Sequence, residues 1–224
     1  MLPITELIRT ERKTIALIVR RDGQLVVRAP FNASDEAIRA LVDKKSAWIQ
    51  SKQKLVRESY PVFKAKEYVN GEGFWYLGKI YRLEIVEPTD EQPLVLSDNF
   101  YLAQSALPQA GNVFEHWYRT QAKQVLSERV TWYADKHGYA IPAVKITDAH
   151  TRWGSCSARG SVSFAWRLVM APMPVIDYLV AHELAHLLVK NHSTEFWSKV
   201  SLMMPNYEQQ IEWLEINGHL LNLG

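Results

Sequence analysis

The chain has 224 residues, a formal net charge of +2 and a single cysteine. This length allows one good hydrophobic core, or one core with a smaller additional lobe. One thiol cannot form an internal disulfide, so nothing in the composition indicates a secreted, oxidised protein. The sequence shows neither the basic and apolar segments of a signal peptide nor an apolar run long enough to span a bilayer. We therefore expect a cytoplasmic protein that does not associate with membranes.

Charge is distributed unevenly along the chain. Residues 1–66 contain 14 lysines and arginines against 7 acidic residues, whereas residues 67–224 contain 12 against 17. A basic segment of this kind can attract nucleic acid, a nucleotide or another polyanion. Such a segment is more often a solvated surface with uneven charge, and no nucleic-acid motif accompanies it here. Both interpretations stay open at this point.

The first 105 residues are predicted to form a β-rich, basic N-terminal lobe. Residues 14–19 and 24–28 are β-branched and apolar and flank a turn signal at residues 20–23, so they predict a hairpin. Residues 37–55 have helical composition with lysines on the exposed side, which predicts one amphipathic basic helix or two. Residues 60–102 return to a β pattern, which predicts a small antiparallel sheet continuing the first one.

Residues 106–224 are predicted to form a second lobe. A long helix is expected up to residue 137, because its apolar stripe has helical spacing and Gly138 stands where a left-handed cap is common. Strands at residues 144–147 and 161–168 predict a hairpin around a loop at residues 150–160. Residues 175–189, preceded by Pro174 in the first turn, are apolar on nearly all sides, which is typical of a buried helix. The fold class is therefore α+β.

The predicted buried helix carries the sequence Ala181-His182-Glu183-Leu184-Ala185-His186, which has the pattern H-E-x-x-H. His182 and His186 lie one turn apart on one helix face, so both imidazoles can bind the same zinc ion. Glu183 lies about 100° round the helix from His182 and can act as the general base on a zinc-bound water without ligating the metal. Burying these three polar side chains without partners is unfavourable, and a bound cation removes that difficulty.

A catalytic zinc ion typically has three protein ligands and one open position. His192 is the predicted third ligand, because it follows His186 at the spacing that metzincins use, and Glu195 is the alternative. Metzincins need a glycine midway to turn the chain, and Val189 stands there in this sequence. We expect Lys190 and Asn191 to make the turn instead, because asparagine tolerates the left-handed backbone region.

The segment Arg152-Trp153-Gly154-Ser155-Cys156 precedes the predicted metal helix. We interpret Trp153 and Cys156 as packing residues beneath the metal site and Gly154 as a turn residue. His150, Arg152 and Tyr178 are three alternatives for the group that stabilises the oxyanion. We also expect an extended peptide substrate to pair with an edge of the strand at residues 162–168.

Several segments together resemble the YgjP-like metallopeptidase family, which is similar to the SprT and Spartan proteases. They are Arg152-Trp153-Gly154-Ser155-Cys156-Ser157, Ser163-Phe164-Ala165-Trp166-Arg167-Leu168, residues 175–186, Asn191-His192-Ser193 and Phe196-Trp197. The resemblance implies a zincin-like lobe with a long helix, a small sheet, the H-E-x-x-H helix and C-terminal helices. It also implies that His182, His186 and His192 bind the metal and that Glu183 is the base. We therefore predict a zinc-dependent hydrolase, in the first place a metallopeptidase acting on a peptide or protein.

Three other functions remain open from the sequence. Zinc chemistry does not exclude hydrolysis of a nucleotide or phosphoanhydride, with the basic N-terminal part receiving the negative charge. The likeness to SprT and Spartan suggests a protease that its basic lobe brings to DNA. The fourth possibility is a non-catalytic module that a metal ion stabilises.

Overall fold

The fold is described from a computed structural model, which covers residues 3–11, 14–19, 23–59, 65–87 and 92–223. The chain separates into two compact units, Met1–Lys64 and Ala65–Gly224, whereas the sequence predicts the division after residue 105. The strands between residues 73 and 103 fall in the second unit, because their apolar side chains share a core with the long helix that follows them. Within the described residues, we find no helix with both the length and the apolar character needed to cross a membrane.

The first unit contains a three-stranded sheet and two helices. Its strands are β1 (Glu6–Thr10), β2 (Ala16–Val19) and β3 (Leu25–Pro30), in the order β1-β3-β2. The predicted antiparallel pairing of β2 with β3 is confirmed, although residues 20–22 of the connecting turn lie outside the described residues. The parallel pairing of β1 with β3 is not predicted from the sequence. Helices α1 (Asp35–Lys44) and α2 (Ser46–Ser59) contribute Ile38, Val42 and Ile49 to the unit's core.

The second unit begins with a four-stranded sheet. Its strands are β4 (Gly73–Tyr76), β5 (Lys79–Val86), β6 (Leu94–Leu96) and β7 (Phe100–Ala103), in the order β4-β5-β7-β6. The prediction of an antiparallel sheet continuing the first one is wrong, because this sheet is separate and its β5–β7 pair is parallel. Phe74 and Phe100 of the sheet pack against Phe114 of the next helix, with ring centres 4.2 and 5.2 Å away.

Helix α3 (Ala110–His137) connects the sheet to the rest of the unit. Gly138 ends the helix with a φ of 70°, as predicted. The Tyr118 hydroxyl donates a hydrogen bond of 2.6 Å to the Trp75 carbonyl, which fixes α3 on the sheet. Further along, the Arg129 guanidinium binds both carboxylate oxygens of Asp177, at 2.5 and 3.0 Å. Asp177 belongs to the helix that carries the predicted metal ligands, so α3 positions that helix directly.

A three-stranded sheet precedes the helix that carries the predicted metal ligands. Its strands are β8 (Val144–Thr147), β9 (Gly154–Cys156) and β10 (Val162–Ala165), in the order β8-β10-β9. The predicted β8–β10 hairpin is wrong, because these two strands are parallel and β9 is the antiparallel partner of β10. β10 is therefore paired on both sides, and the predicted pairing of a peptide with its edge is wrong as well. β9, in the segment predicted as a loop, is the edge strand nearest the metal helix.

Three helices complete the second unit: α4 (Met173–Ala185), α5 (Thr194–Met203) and α6 (Tyr207–Asn217). α4 contacts α3, α5, α6 and β9. Nine of its 13 residues are buried, which confirms the prediction of a buried helix. It ends at Ala185, four residues before the predicted end.

Candidate metal centre and active site

The three predicted histidine ligands lie together at the C-terminal end of α4. One ring nitrogen of each residue lies within 4.8 Å of the other two, and the Nε2 atoms of His182 and His192 are 3.1 Å apart. His182 is in the last turn of α4, His186 is its C-cap, and His192 lies just before α5. Glu195, the alternative third ligand, is not part of this cluster.

The chain turns from His186 to His192 without a left-handed residue at Asn191. Among the described residues other than glycine, positive φ angles occur only at Tyr68 and Leu77, so the turn expected at Asn191 is wrong. The end of α4 tightens instead, because the amides of Leu187 and Leu188 donate to carbonyls only three residues earlier, at 3.0 and 3.1 Å. This early, tight turn explains why Val189 can stand where metzincins have glycine.

Two of the imidazoles are oriented by contacts at Nδ1. His186 Nδ1 lies 3.0 Å from the Val189 carbonyl oxygen, which requires a proton on that nitrogen. His182 Nδ1 lies 3.4 Å from the hydroxyl of Tyr178, one turn earlier on α4. The carbonyl contact leaves Nε2 of His186 as the lone-pair nitrogen, the arrangement expected of a metal-binding histidine, and the hydroxyl contact orients the ring of His182. Tyr178, an oxyanion candidate from the sequence, therefore contacts the Nδ1 side of His182.

The surroundings of His182 disfavour the charged form of its imidazole. Burial, together with the charges of His186 and His192, lowers the pKa of His182 to about 4. Phe196 of α5 packs against all three rings, with centres 4.5–4.9 Å away. Neutral imidazole is the form that binds a metal ion, so this apolar setting favours ligation.

Glu183 lies beside the cluster and is only 4% exposed. Burial raises the pKa of its carboxyl to about 7, while the charge of Arg152 acts in the opposite direction. Its Oε2 is buried and has no hydrogen-bond partner among the described residues. A β-carbon on Gly154 would lie 2.8 Å from both Cγ and Cδ of Glu183. Gly154 is thus a strand residue that makes room for the carboxylate, and its interpretation as a turn residue is wrong.

The remaining predicted residues of this segment lie in β9 or shortly before it. His150 Nε2 lies 3.5 Å from an Asp148 carboxylate oxygen, and that carboxylate also accepts hydrogen bonds from Trp166 and Arg167. Arg152 is exposed, and it is the oxyanion candidate whose charge affects the pKa of Glu183.

Trp153 and Cys156 are partly buried against the core, as predicted, and burial raises the pKa of the Cys156 thiol. The sequence analysis missed the role of Gly154, although an isolated glycine in a strand often marks a close approach.

The donor set is able to hold a metal ion, because neutral imidazole nitrogens are ligands for zinc and other transition metals. Two imidazole nitrogens bound to zinc at about 2.0–2.1 Å in tetrahedral geometry are about 3.3 Å apart. The observed separation between Nε2 of His182 and Nε2 of His192, 3.1 Å, is close to this value. Three histidines beside a buried carboxylate are thus a candidate centre of the kind found in metal-dependent hydrolases.

Sequence comparison identifies the family within that class. The family described as YgjP-like, metallopeptidase domain, matches residues 13–217. The chain therefore belongs to the YgjP-like metallopeptidase family, and the resemblance inferred from its motifs is confirmed. Membership implies a bound metal ion, which the histidine cluster is able to hold.

Other comparisons add little to this assignment. The crystal structure of the metallopeptidase zymogen of Pyrococcus abyssi abylysin is similar at 22% sequence identity, over 40% of this chain and 90% of that one. Its TM-score of 0.37 is too low to establish a shared fold. Comparison with curated proteins gives no significant match.

Proposed function

We propose that this chain is a zinc-dependent peptidase whose metal ligands are His182, His186 and His192 and whose general base is Glu183. The observation that carries the proposal is the convergence of three imidazole nitrogens within 4.8 Å of one another beside a carboxylate that is 4% exposed. Membership of a metallopeptidase family supports the same reaction.

The side chains divide the chemistry between them. Bound zinc supplies a Lewis acid that polarises the scissile carbonyl and makes a water molecule more acidic. Glu183 takes a proton from the attacking water and later gives it to the leaving amine. Burial raises the pKa of the Glu183 carboxyl, and a bound cation would act in the opposite direction, so the carboxylate form that accepts the proton is expected with the metal in place. Arg152 is the candidate for stabilising negative charge on the substrate.

A peptide substrate is supported by the edge strand β9. Trp153 and Ser157 use backbone groups to bind β10, in bonds of 2.9 Å to Ala165 and Ser161. In an antiparallel ladder, the alternate residues direct their N–H and C=O groups away from the partner strand. Gly154 and Cys156 therefore present backbone groups along the outer edge of β9, where an extended peptide can pair. Because Gly154 also contacts Glu183, such a peptide would run beside the base.

The test begins with metal analysis of the purified full chain, which should show about one zinc per chain. His182→Ala should lose the zinc. Glu183→Gln should retain it and lose about 100-fold or more of the peptidase activity, measured on casein and on a peptide library. Nucleoside triphosphates serve as the competing substrate class. Hydrolysis of triphosphates without cleavage of any peptide, or full activity of Glu183→Gln, would contradict the proposal.

Binding of nucleic acid by the first unit is a second candidate function. Trp48 is 43% exposed on α2, and Lys45 and Lys52, three residues before it and four after, are exposed too. Cations beside an exposed aromatic ring suit single-stranded nucleic acid. The test is DNA binding by the full chain and by Lys45→Glu/Lys52→Glu. Binding that weakens with salt and in this variant would support this function, and equal binding by both proteins would contradict it.

A further inference from the structure

A groove runs along one face of α5, next to the histidine cluster. Its volume is about 560 Å³, within the range of about 300–1,000 Å³ that is usual for ligand sites. Its walls include Thr194, Trp197, Ser201 and Leu202 of α5, and Tyr207 at the start of α6. Every residue that lines the groove is either apolar or bears a hydroxyl or indole group, so its walls carry no formal charge.

Trp197 joins this groove to the metal centre. The centre of its ring system lies 5.9 Å from the ring of His182 and 5.9 Å from that of His192. Trp197 also stacks on Tyr207, with centres 5.2 Å apart and planes 15° apart. One indole therefore forms part of the surroundings of the histidines and part of the groove wall. Thr194, a residue of the groove wall, follows the third predicted ligand, His192, by two residues. The groove and the ligand are therefore close along the chain.

Leu202 stands at the other end of the groove, two turns along α5 from Thr194. It is 73% exposed, more than the other large apolar residues on the described surface. A single exposed leucine is ordinary on a protein surface. This one lines a shallow, uncharged surface that shares Trp197 with the surroundings of His182 and His192, so a substrate side chain near the reaction centre can reach it.

We propose that the α5 groove is a subsite that selects substrates with a large apolar side chain close to the scissile bond. The inference rests on the proposed peptidase function and names its substrate class. The apolar part of the walls, formed by Trp197, Leu202 and Pro205, favours leucine, isoleucine, phenylalanine or methionine, because these side chains lose contact with water on binding. Charged side chains are disfavoured there, because the groove offers them no partner.

The test is cleavage-site profiling of the zinc-loaded full chain on a proteome-derived peptide library, read by mass spectrometry. One position within about three residues of the scissile bond should be enriched in large apolar side chains, by about tenfold in kcat/KM over lysine or glutamate. Leu202→Glu should reduce this enrichment several-fold and raise the acceptance of lysine or arginine at the same position. Because Leu202 is so exposed, the variant is expected to fold, and its zinc content checks this.

Ile216→Glu is the matched control, because Ile216 is a 59% exposed apolar residue of α6 outside the groove. Its profile should equal that of the unmodified chain. Cleavage without an apolar preference, or a preference that Leu202→Glu leaves unchanged, would overturn the subsite. Neither result would contradict the proposed peptidase function. Absence of any cleavage would overturn both. A dimer in sedimentation analysis that Leu202→Glu dissociates would assign the groove to a second copy of the chain and overturn the subsite.

Discussion

The α-carbon of Gly154 lies directly against the carboxylate of Glu183. A β-carbon at residue 154 would be 2.8 Å from Cγ and Cδ of that side chain, closer than carbon atoms approach without displacement. The edge strand and the proposed base therefore fit together only because residue 154 has no side chain. This contact connects the strand that would hold a peptide to the residue that would act on it.

Replacing Gly154 with alanine should therefore displace the Glu183 carboxylate. We expect kcat to fall by tenfold or more with zinc content unchanged, and the free energy of unfolding to fall by about 1–3 kcal/mol, the usual effect of overpacking. Peptide hydrolysis, metal analysis and urea unfolding measure these effects. In a Glu183→Ala background, Gly154→Ala should cost less stability, because the overlapping carboxylate is gone.

Gly138→Ala is the control for the loss of a glycine. Gly138 has a φ of 70° and open space around its α-carbon, so alanine there strains the backbone without touching the site. The substitution should lower stability by about 1 kcal/mol and leave kcat unchanged. Equal kcat values for Gly154→Ala and the unmodified chain would show that the contact does not position Glu183.

Tyr178→Phe should weaken metal binding. The Tyr178 hydroxyl contacts Nδ1 of His182 at 3.4 Å, and hydrogen-bonding groups in this position orient the imidazole of a metal ligand. We expect zinc affinity to fall about 10–100-fold, measured by competition with a chromophoric chelator. Tyr118→Phe removes a hydroxyl that bonds the Trp75 carbonyl, away from the histidines, and should leave zinc affinity unchanged. Equal loss in both variants would indicate a general effect on folding.

Proline substitutions on β9 should distinguish its two edges. The Cys156 amide is expected to face outward, so Cys156→Pro should preserve the sheet and reduce kcat/KM for peptides. Cys156→Ala keeps the amide and should retain activity. The Ser155 amide points to β10, so Ser155→Pro should destabilise the fold. Thermal unfolding and peptide kinetics separate these effects, and full activity of a folded Cys156→Pro would contradict pairing of a peptide at this edge.

The ion pair between Arg129 and Asp177 should stabilise the second unit. Both side chains are mostly buried, at 24% and 17% exposure, and they join α3 to α4. Arg129→Met leaves the Asp177 carboxylate without this partner, so we expect a loss of about 1–3 kcal/mol in the free energy of unfolding. Adding Asp177→Asn should recover part of that loss, because the unpaired charge is gone. Strictly additive effects in urea unfolding would show that the two side chains are not coupled.

The sequence predicts the parts of the site that depend on local spacing. His182 and His186 are one turn apart in any helix, and residues that are apolar on all sides indicate that this helix is buried. Gly138 likewise marks the end of α3 through its own backbone preference. The association of His192 with the cluster follows from a known spacing, although the turn that brings it there differs from the expected one.

Features that depend on distant segments were not predictable in the same way. The parallel β8–β10 pairing requires β9 to lie on the other side of β10, and no local pattern encodes that order. A three-residue strand such as β9 is too short for alternation to reveal it. The division after Lys64 depends on which helix covers the four-stranded sheet, and the apolar residues of its strands do not indicate which helix that is. The role of Gly154 depends on these long-range pairings.

The position of His192 beyond the end of α4 has a consequence for the metal-free protein. An ion bound to His182, His186 and His192 would cross-link the last turn of α4 to the residue just before α5, on either side of residues 187–191. The apolar packing that surrounds α4 does not depend on that cross-link. Removal of the ion should therefore appear first as faster amide exchange in this short connection, at temperatures well below those that melt the unit.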